Sequence, residues 1–383
     1  MTGAGERERL AGAEALVDRY LALLEELVVR ESPSGDEDRN RVLSAFLVDE
    51  LERRGARVGR EPAPGLGEHL VSHIGGEDPR ERPLLVMGHM DTVHPAGTLE
   101  RYPFRVEERV VRGPGVYDMK GGLAAVLLGL DLLEERGERP RGDVIFLITC
   151  DEEIGSHTSR RLIEELARGA RAALVIEPCV PGGMVKASRK GVAVYSVALG
   201  GRPAHAGIEP GAGASAVHEL ARLVLRLLSL EDAEAGTTVN VGVIAGGTRS
   251  NVVAGEAQAE VDVRFWTREE AERVDRAVRA LVPEDPGCTL EVEGGIDRMP
   301  LEQSPTSDRL YQVAREQAAQ LGFELGRAGT GGGSDGNLTS GVGCPTLDGL
   351  GPQGGGAHTL DEHVLLADIG RRIALLAGLF RRL

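Results

Sequence analysis

Positive charge is in short supply in this chain: 44 Lys and Arg stand against 60 Asp and Glu, a net charge of −16 over 383 residues. A surface that neutralises nucleic-acid phosphates or an anionic bilayer needs the opposite sign, so no nucleic-acid or membrane partner is expected. Long apolar runs are missing too. No stretch reaches the ~18 residues of a membrane span, and Glu6-Arg7-Glu8-Arg9 is charged where a secretory leader is apolar. A cytoplasmic protein is expected. The four cysteines, Cys150, Cys179, Cys288 and Cys344, form no Cys-x-x-Cys pair, which argues against a thiolate zinc site and a disulfide framework. A metal would then have His and carboxylate to hold it. Aromatics are scarce, with one Trp, five Tyr and six Phe, whereas glycine numbers 53 and clusters at 331–333 and 354–356, where tight turns can shape a site.

The length suggests two domains. Leu16, Tyr20, Leu23 and Leu24, then Val42, Phe46 and Leu51, repeat at helical spacing, so two helices open the chain. Apolar runs at 84–87, 144–149 and 173–176 alternate with helical stretches at 121–135 and 159–169. That is an α/β pattern with strands buried on both faces, a mostly parallel sheet in a three-layer domain. From about Lys190 the order becomes β-α-β-β-α-β. A strand runs to Leu199, helices fall near 214–230 and 268–281, and strands fall near 238–244 and 289–293. Between them Ala257, Ala259, Val261, Val263 and Phe265 alternate with polar residues. Helix returns at 307–321 and 363–382, with a short strand at 346–350. The reading is an α/β domain of residues 1–188 and 299–383, with a ferredoxin-like α+β domain, 189–298, inserted into it.

Polar residues just after buried strands mark where an α/β sheet binds ligands. Gly88-His89-Met90-Asp91 follows the first run, and His89 can ligate a metal while Asp91, two residues on, accepts a hydrogen bond from its other nitrogen. Asp118, in Gly-Val-Tyr-Asp-Met-Lys-Gly-Gly, is either a ligand or the N-cap of the helix behind it. Asp151-Glu152-Glu153 crowds three acids at a buried strand end, an arrangement that calls for solvent or a cation. Glu177 repeats the pattern singly, and His358 lies in a glycine bed. His89, Asp118, Glu153, Glu177 and His358 together suit two borderline divalent ions sharing a carboxylate, Zn²⁺ first, with Co²⁺ or Mn²⁺ as alternatives. Cys150 reads as a small buried hydrophobe, and His69 and His73 as structural.

Taken together, Gly-His-Met-Asp-Thr-Val, the Tyr-Asp-Met-Lys-Gly-Gly run, Asp-Glu-Glu-x-Gly, the later Glu177 and the final Gly-Gly-x-His resemble the zinc metallopeptidase family of glutamate carboxypeptidases, aminoacylases and succinyl-diaminopimelate desuccinylases. The resemblance spans nearly the whole chain. It implies that Asp118 bridges two zincs, that His89 and Glu177 complete one site and Glu153 and His358 the other, that Glu152 is the general base, and that Asp91 orients His89. It further implies that His205, in Gly-Arg-Pro-Ala-His-Ala-Gly, reaches the partner subunit's active site in a homodimer formed through the inserted domain. Asn251, Arg264, Arg298, Gly332, Gly333 and Ser334 are implied around the substrate. Removal of a C-terminal amino acid from a small peptide is the activity expected. Deacylation of an N-acyl amino acid or succinylated diamine, and metal-dependent peptide binding without turnover, are the alternatives.

Overall fold

A computed structural model describes residues 16–383, and the charged run at 6–9 lies outside them. Helices α1 (Val17–Val29) and α2 (Glu37–Arg53) precede strands β1 (Arg57–Ala63), β2 (Gly67–Ile74) and β3 (Leu84–His89), a short helix α3 (Thr98–Arg101), and strands β4 (Arg105–Glu107) and β5 (Val110–Arg112). Helix α4 (Gly121–Glu135), β6 (Val144–Thr149), α5 (Arg160–Gly169), β7 (Ala172–Val175) and β8 (Val185–Arg189) follow. Next come β9 (Gly191–Gly200), α6 (Ala216–Leu228), β10 (Thr238–Gly246), β11 (Glu256–Phe265), α7 (Arg268–Arg279) and β12 (Thr289–Arg298). The last part holds α8 (Pro305–Gln320), β13 (Arg327–Thr330), α9 (Asp335–Gly341), β14 (Thr346–Leu347), β15 (Gly354–Gly355), β16 (His363–Leu365) and α10 (Ile369–Arg382).

The chain divides into two compact units. One takes in the chain up to Ser188, Gln303–Gly329 and Ser334–Leu383, and the other Arg189–Glu302 with Thr330–Gly333. The second crossing thus falls four residues beyond residue 298, and a short return segment joins the inserted unit.

In the first unit a six-stranded sheet runs β1-β2-β6-β3-β7-β14, with β6, β3, β7 and β14 mutually parallel. Alternation splits its buried side chains between two layers. Leu84, Val86, Phe146 and Ile148 join the core formed with α1, α2, α4 and α10. Leu85, Met87, Ile145 and Leu147 pack with Ile163 of α5 and Leu338 of α9. Covering both faces makes β3 and β6 uniformly buried, and each such aliphatic side chain contributes roughly 1.5–3 kcal/mol. The parallel strands therefore point their carboxyl ends, with His89, the 151–153 acids and Glu177, at one edge.

A close backbone approach fixes that edge. A Cβ on Gly122, in the first turn of α4, would stand 2.4 Å from the carbonyl oxygen of Ile176, just past β7. Gly122→Ala is expected to destabilise the protein by about 1–3 kcal/mol, as overpacking does. The same change is expected to loosen the loop carrying Asp118 relative to Glu177, read as a lower denaturation midpoint together with weaker metal uptake.

The second unit is a four-stranded antiparallel sheet, β10-β11-β9-β12, in β-α-β-β-α-β chain order. Helices α6 and α7 cover one face, burying Leu220, Leu223, Val274 and Val278 against Tyr195, Val197, Val261 and Phe265. The residues of β11 between its buried positions face outward, as its alternating pattern requires.

Two elements depart from the periodicity. The segment expected to be helical from 363 is strand β16 as far as Leu365, because it pairs with β5, and α10 begins only at Ile369. The strand expected at 346–350 pairs with β7 at Thr346 and Leu347 only. Asp348, next in the chain, takes the Ser334 hydroxyl at 2.6 Å.

Candidate metal centre and active site

His89, the last residue of β3, is buried, and its Nδ1 donates to the backbone carbonyl of Asp91 at 3.0 Å. Its Nε2 consequently faces the carboxylates without a proton when the ring is neutral. Asp118 Oδ1 lies 3.3 Å from that nitrogen and Glu177 Oε1 3.6 Å. His358 Nε2 lies 3.5 Å from the other oxygen of Asp118 and 3.2 Å from Glu153 Oε2. The five residues thus form two clusters that share the Asp118 carboxylate, one oxygen to each. Asp118 caps no helix: α4 starts at Gly121 after Lys120, and the Asp118 backbone is non-helical.

Three atoms here, His89 Nε2, Asp118 Oδ1 and Glu153 Oε1, are buried with no hydrogen-bond partner. Facing lone pairs left in that state are costly, and cations between them remove the cost. Ligand atoms of His89, Asp118 and Glu153, and likewise of His89, Glu152 and Glu177, lie within 4.8 Å of one another. The donor set of imidazole and carboxylate fits borderline divalent ions.

Protonation follows the same logic. Burial opposes a charge on His89, yet the carboxylates of Asp118 and Glu177 facing its Nε2, with Asp91 and Glu152 nearby, raise its pKa well above the usual value. Asp118 beside His358 raises that imidazole to about 9, with Glu153 adding to the effect. Burial pushes Glu153 up to about 7. Burial also works against ionising Asp118, but His358 and His89 hold it well below the ordinary carboxylate range. Protons thus stand in for cations in a site with surplus negative charge.

Asp91 supports the site differently from its sequence reading. Its carboxylate is 3.6 Å from His89 Nδ1, whose hydrogen bond goes to the Asp91 carbonyl. The carboxylate instead accepts the Glu152 and Glu153 amides, each at 3.2 Å, and the Ser34 hydroxyl at 2.7 Å. One buried side chain therefore fixes the turn that presents both acids.

Glu362 is the residue the sequence reading passed over. It is fully buried and accepts the amides of Gly115, Tyr117 and Asp118 at 2.8–2.9 Å, while His94 Nε2 lies 2.6 Å away. It anchors the loop that carries Asp118. The available signal was an acid four residues after His358 in the same glycine-rich run. That run turns sharply: His358 adopts φ 64°, and a Cβ on Gly356 would meet the Asp361 backbone at 2.6 Å.

Cys150 does have a histidine beside it, His69, at 3.6 Å. Burial nevertheless pushes its thiol far above the usual range, and His69 is itself bonded to Thr158 at 3.0 Å. His73 is exposed.

The remaining candidates divide between the units. In the inserted unit His205 is exposed, and its Nδ1 accepts the amides of Gly207 and Ile208, both at 3.1 Å. That leaves its proton on Nε2, facing outward as a donor. Asn251 is exposed next to it, its carbonyl taking the Ala206 amide at 3.0 Å. Arg264 forks onto Asp262 at 2.7 and 2.8 Å, so its charge is already matched. Arg298 is buried, with Asp297 at 3.7 Å. The carbonyls of Gly332 and Gly333 accept from the buried Arg189, each at 3.1 Å. Ser334 belongs to the first unit, where it is buried, donates to Asp348 and caps α9.

Comparison with known proteins agrees with this geometry. The profile described as Peptidase family M20/M25/M40 matches residues 85–382. Carboxypeptidase G2 of Pseudomonas sp. (strain RS-16) is 34% identical over 366 residues, covering 93% of this chain and 87% of its own. A succinyl-diaminopimelate desuccinylase of Verminephrobacter eiseniae is 28% identical over 398 residues, covering 95% of each. Among solved structures, aminopeptidase PepT from Bacillus cereus shares the fold with a TM-score of 0.81 at 23% identity, over 95% of this chain and 98% of that one. No helix among the described residues is long and apolar enough to cross a membrane. The chain belongs to peptidase family M20/M25/M40 and is a metal-dependent hydrolytic enzyme of the peptidase and amidohydrolase kind.

Proposed function

We propose that this enzyme releases a C-terminal amino acid from a small peptide or N-acyl amino acid, in the manner of a glutamate carboxypeptidase. The observation that carries the reading is the 34% identity to carboxypeptidase G2 along 93% of the chain. Likeness to desuccinylases at 28% identity supports the second reading, a succinyl-diamine deacylase with the same machinery. Release of product from N-acyl-glutamates at a kcat/KM at least tenfold above that for N-succinyl-diaminopimelate would support the first reading. The reverse ratio would establish the second.

His89, Asp118 and Glu177 would hold one divalent ion and Asp118, Glu153 and His358 the other, with zinc the natural choice for this donor set. Such ions supply Lewis acidity toward an amide carbonyl and make nearby water more acidic. Glu152, held by its own amide on Asp91, takes the proton of the attacking water and returns it to the departing amine. His205, with its proton on Nε2, serves as a donor to the developing oxyanion. It acts from the partner subunit in a homodimer. The edge strand β10 and helix α6 support that assembly, since Val243, Ile244, Leu225 and Leu228 are exposed apolar residues there.

Metal uptake is expected to release protons. The ions need neutral imidazoles and ionised carboxylates, whereas metal-free His358 stays protonated up to about 9 and Glu153 up to about 7. Affinity is therefore highest above about pH 9, falls as pH drops through that value, and falls further below about pH 7. Calorimetry of zinc binding at pH 8 in buffers of differing ionisation enthalpy measures the protons released. Binding independent of buffer and pH would rule out these ligands. Chelation is expected to abolish turnover reversibly.

A further inference from the structure

At the amino ends of the parallel strands, away from the metal ligands, lies a cleft of about 640 Å³. Arg82 stands just before β3, Arg141 just before β6 and Arg171 immediately before β7, while Arg309 of α8 and Arg382 of α10 complete the wall. Glu81 is the one acidic side chain among the lining residues, which also include the terminal Leu383, and Leu310, Val313 and Pro345 give part of the wall an apolar surface. Five guanidinium groups around one cleft stand out in a chain of net charge −16.

Internal partners account for only part of this charge and of these donors. Glu81 takes Arg141 at 2.7 Å, and Glu316 takes Arg382 at 2.7 Å. Arg82 is spent on the backbone carbonyls of Arg168 and Gly169. Arg309 is exposed and has no hydrogen bond or ion pair among the described residues. Arg171 gives one nitrogen to the carbonyl of Arg82, but its Nε and Nη2, together with Nη1 of Arg382, are buried with no acceptor. Burial lowers the pKa of Arg171 even though Glu81 lies nearby. Like charges gathered around unused donors call for an anion.

We propose that this cleft binds a small oxyanion, a phosphate or carboxylate group carried on a partly apolar body, at a site independent of the metal centre. Planar guanidinium forks match the paired oxygens of either group, and the apolar wall takes the body. Five residue steps along β3, about 17 Å of extended chain, separate Leu84 at this end from His89 at the other. Charge changes in the cleft therefore leave the catalytic machinery in place.

The test uses the metal-loaded enzyme at constant ionic strength, titrated with inorganic phosphate, phenyl phosphate and benzoate while heat and thermal midpoint are followed. Saturable binding that raises the midpoint is expected, with phenyl phosphate tighter than inorganic phosphate. Arg309→Glu should weaken that binding by at least about tenfold with metal content and turnover unchanged, and Glu81→Gln should tighten it. Binding of phenyl phosphate alone would identify a phosphate ligand, and of benzoate alone a carboxylate. Anions that bind at the metals instead would bind Arg309→Glu as well as wild type, and that equality overturns the proposal. So does the absence of saturable binding by any of the three probes.

Discussion

Glu152→Gln is expected to cut turnover by at least ~10²-fold, the scale of a lost general base, with metal content near two ions per chain. The substitution keeps the shape of the side chain and the backbone bond from residue 152 to Asp91, and the five proposed ligands lie elsewhere. What it removes is the acceptor for the water proton. The geometry also offers the competing role, because a Glu152 oxygen comes within 4.8 Å of ligand atoms of His89 and Glu177. Metal analysis beside kinetics separates the two: loss of one ion in parallel with activity makes Glu152 a ligand, and undiminished turnover removes it from the mechanism.

The second large effect is a gain. Glu152→Gln and His205→Ala proteins should each be inactive alone, and mixing them under conditions of subunit exchange should restore activity toward about half of wild type per heterodimer. In the mixed dimer one site combines an intact Glu152 with an intact His205 of the partner subunit. Exchange demonstrated by mass, with no activity returning, would place His205 within its own chain or outside the reaction. The tautomer adds a finer expectation. Because the Gly207 and Ile208 amides fix Nδ1 as an acceptor, His205→Gln, which can still donate, should retain more kcat than His205→Ala.

Much of this was legible because strand-end chemistry follows local rules. A buried apolar run with an acid or histidine at its carboxyl end marks the sheet edge where ligands gather, and His89, the 151–153 acids and Glu177 were visible on that basis. Long-range partners were not. Nothing near His363 reveals its pairing with Arg112, so helical spacing carried the expected helix six residues too far. Ser334 stood in a glycine run that resembled a substrate loop, but its partner Asp348 comes from the turn after β14. Asp91 was assigned to His89 by two-residue spacing, a rule that does not foresee its own carbonyl taking that bond. The Arg264 pairing was readable: Asp262 lies two positions away on the same face of β11.

The tie between Glu362 and the Asp118 loop bears on the order in which the molecule can be assembled during synthesis. Four of the five proposed ligands have emerged from the ribosome by Glu177, yet the carboxylate that pins Asp118 and the last imidazole, His358, come nearly two hundred residues later. The segment made in between, Arg189–Glu302, is all but four residues of a unit with its own core. A nascent chain therefore completes most of the unit that carries His205 while the ion-binding centre is still open. The first unit closes last, when β14 pairs with β7, β16 pairs with β5 and α10 packs into a core begun at the other end of the message.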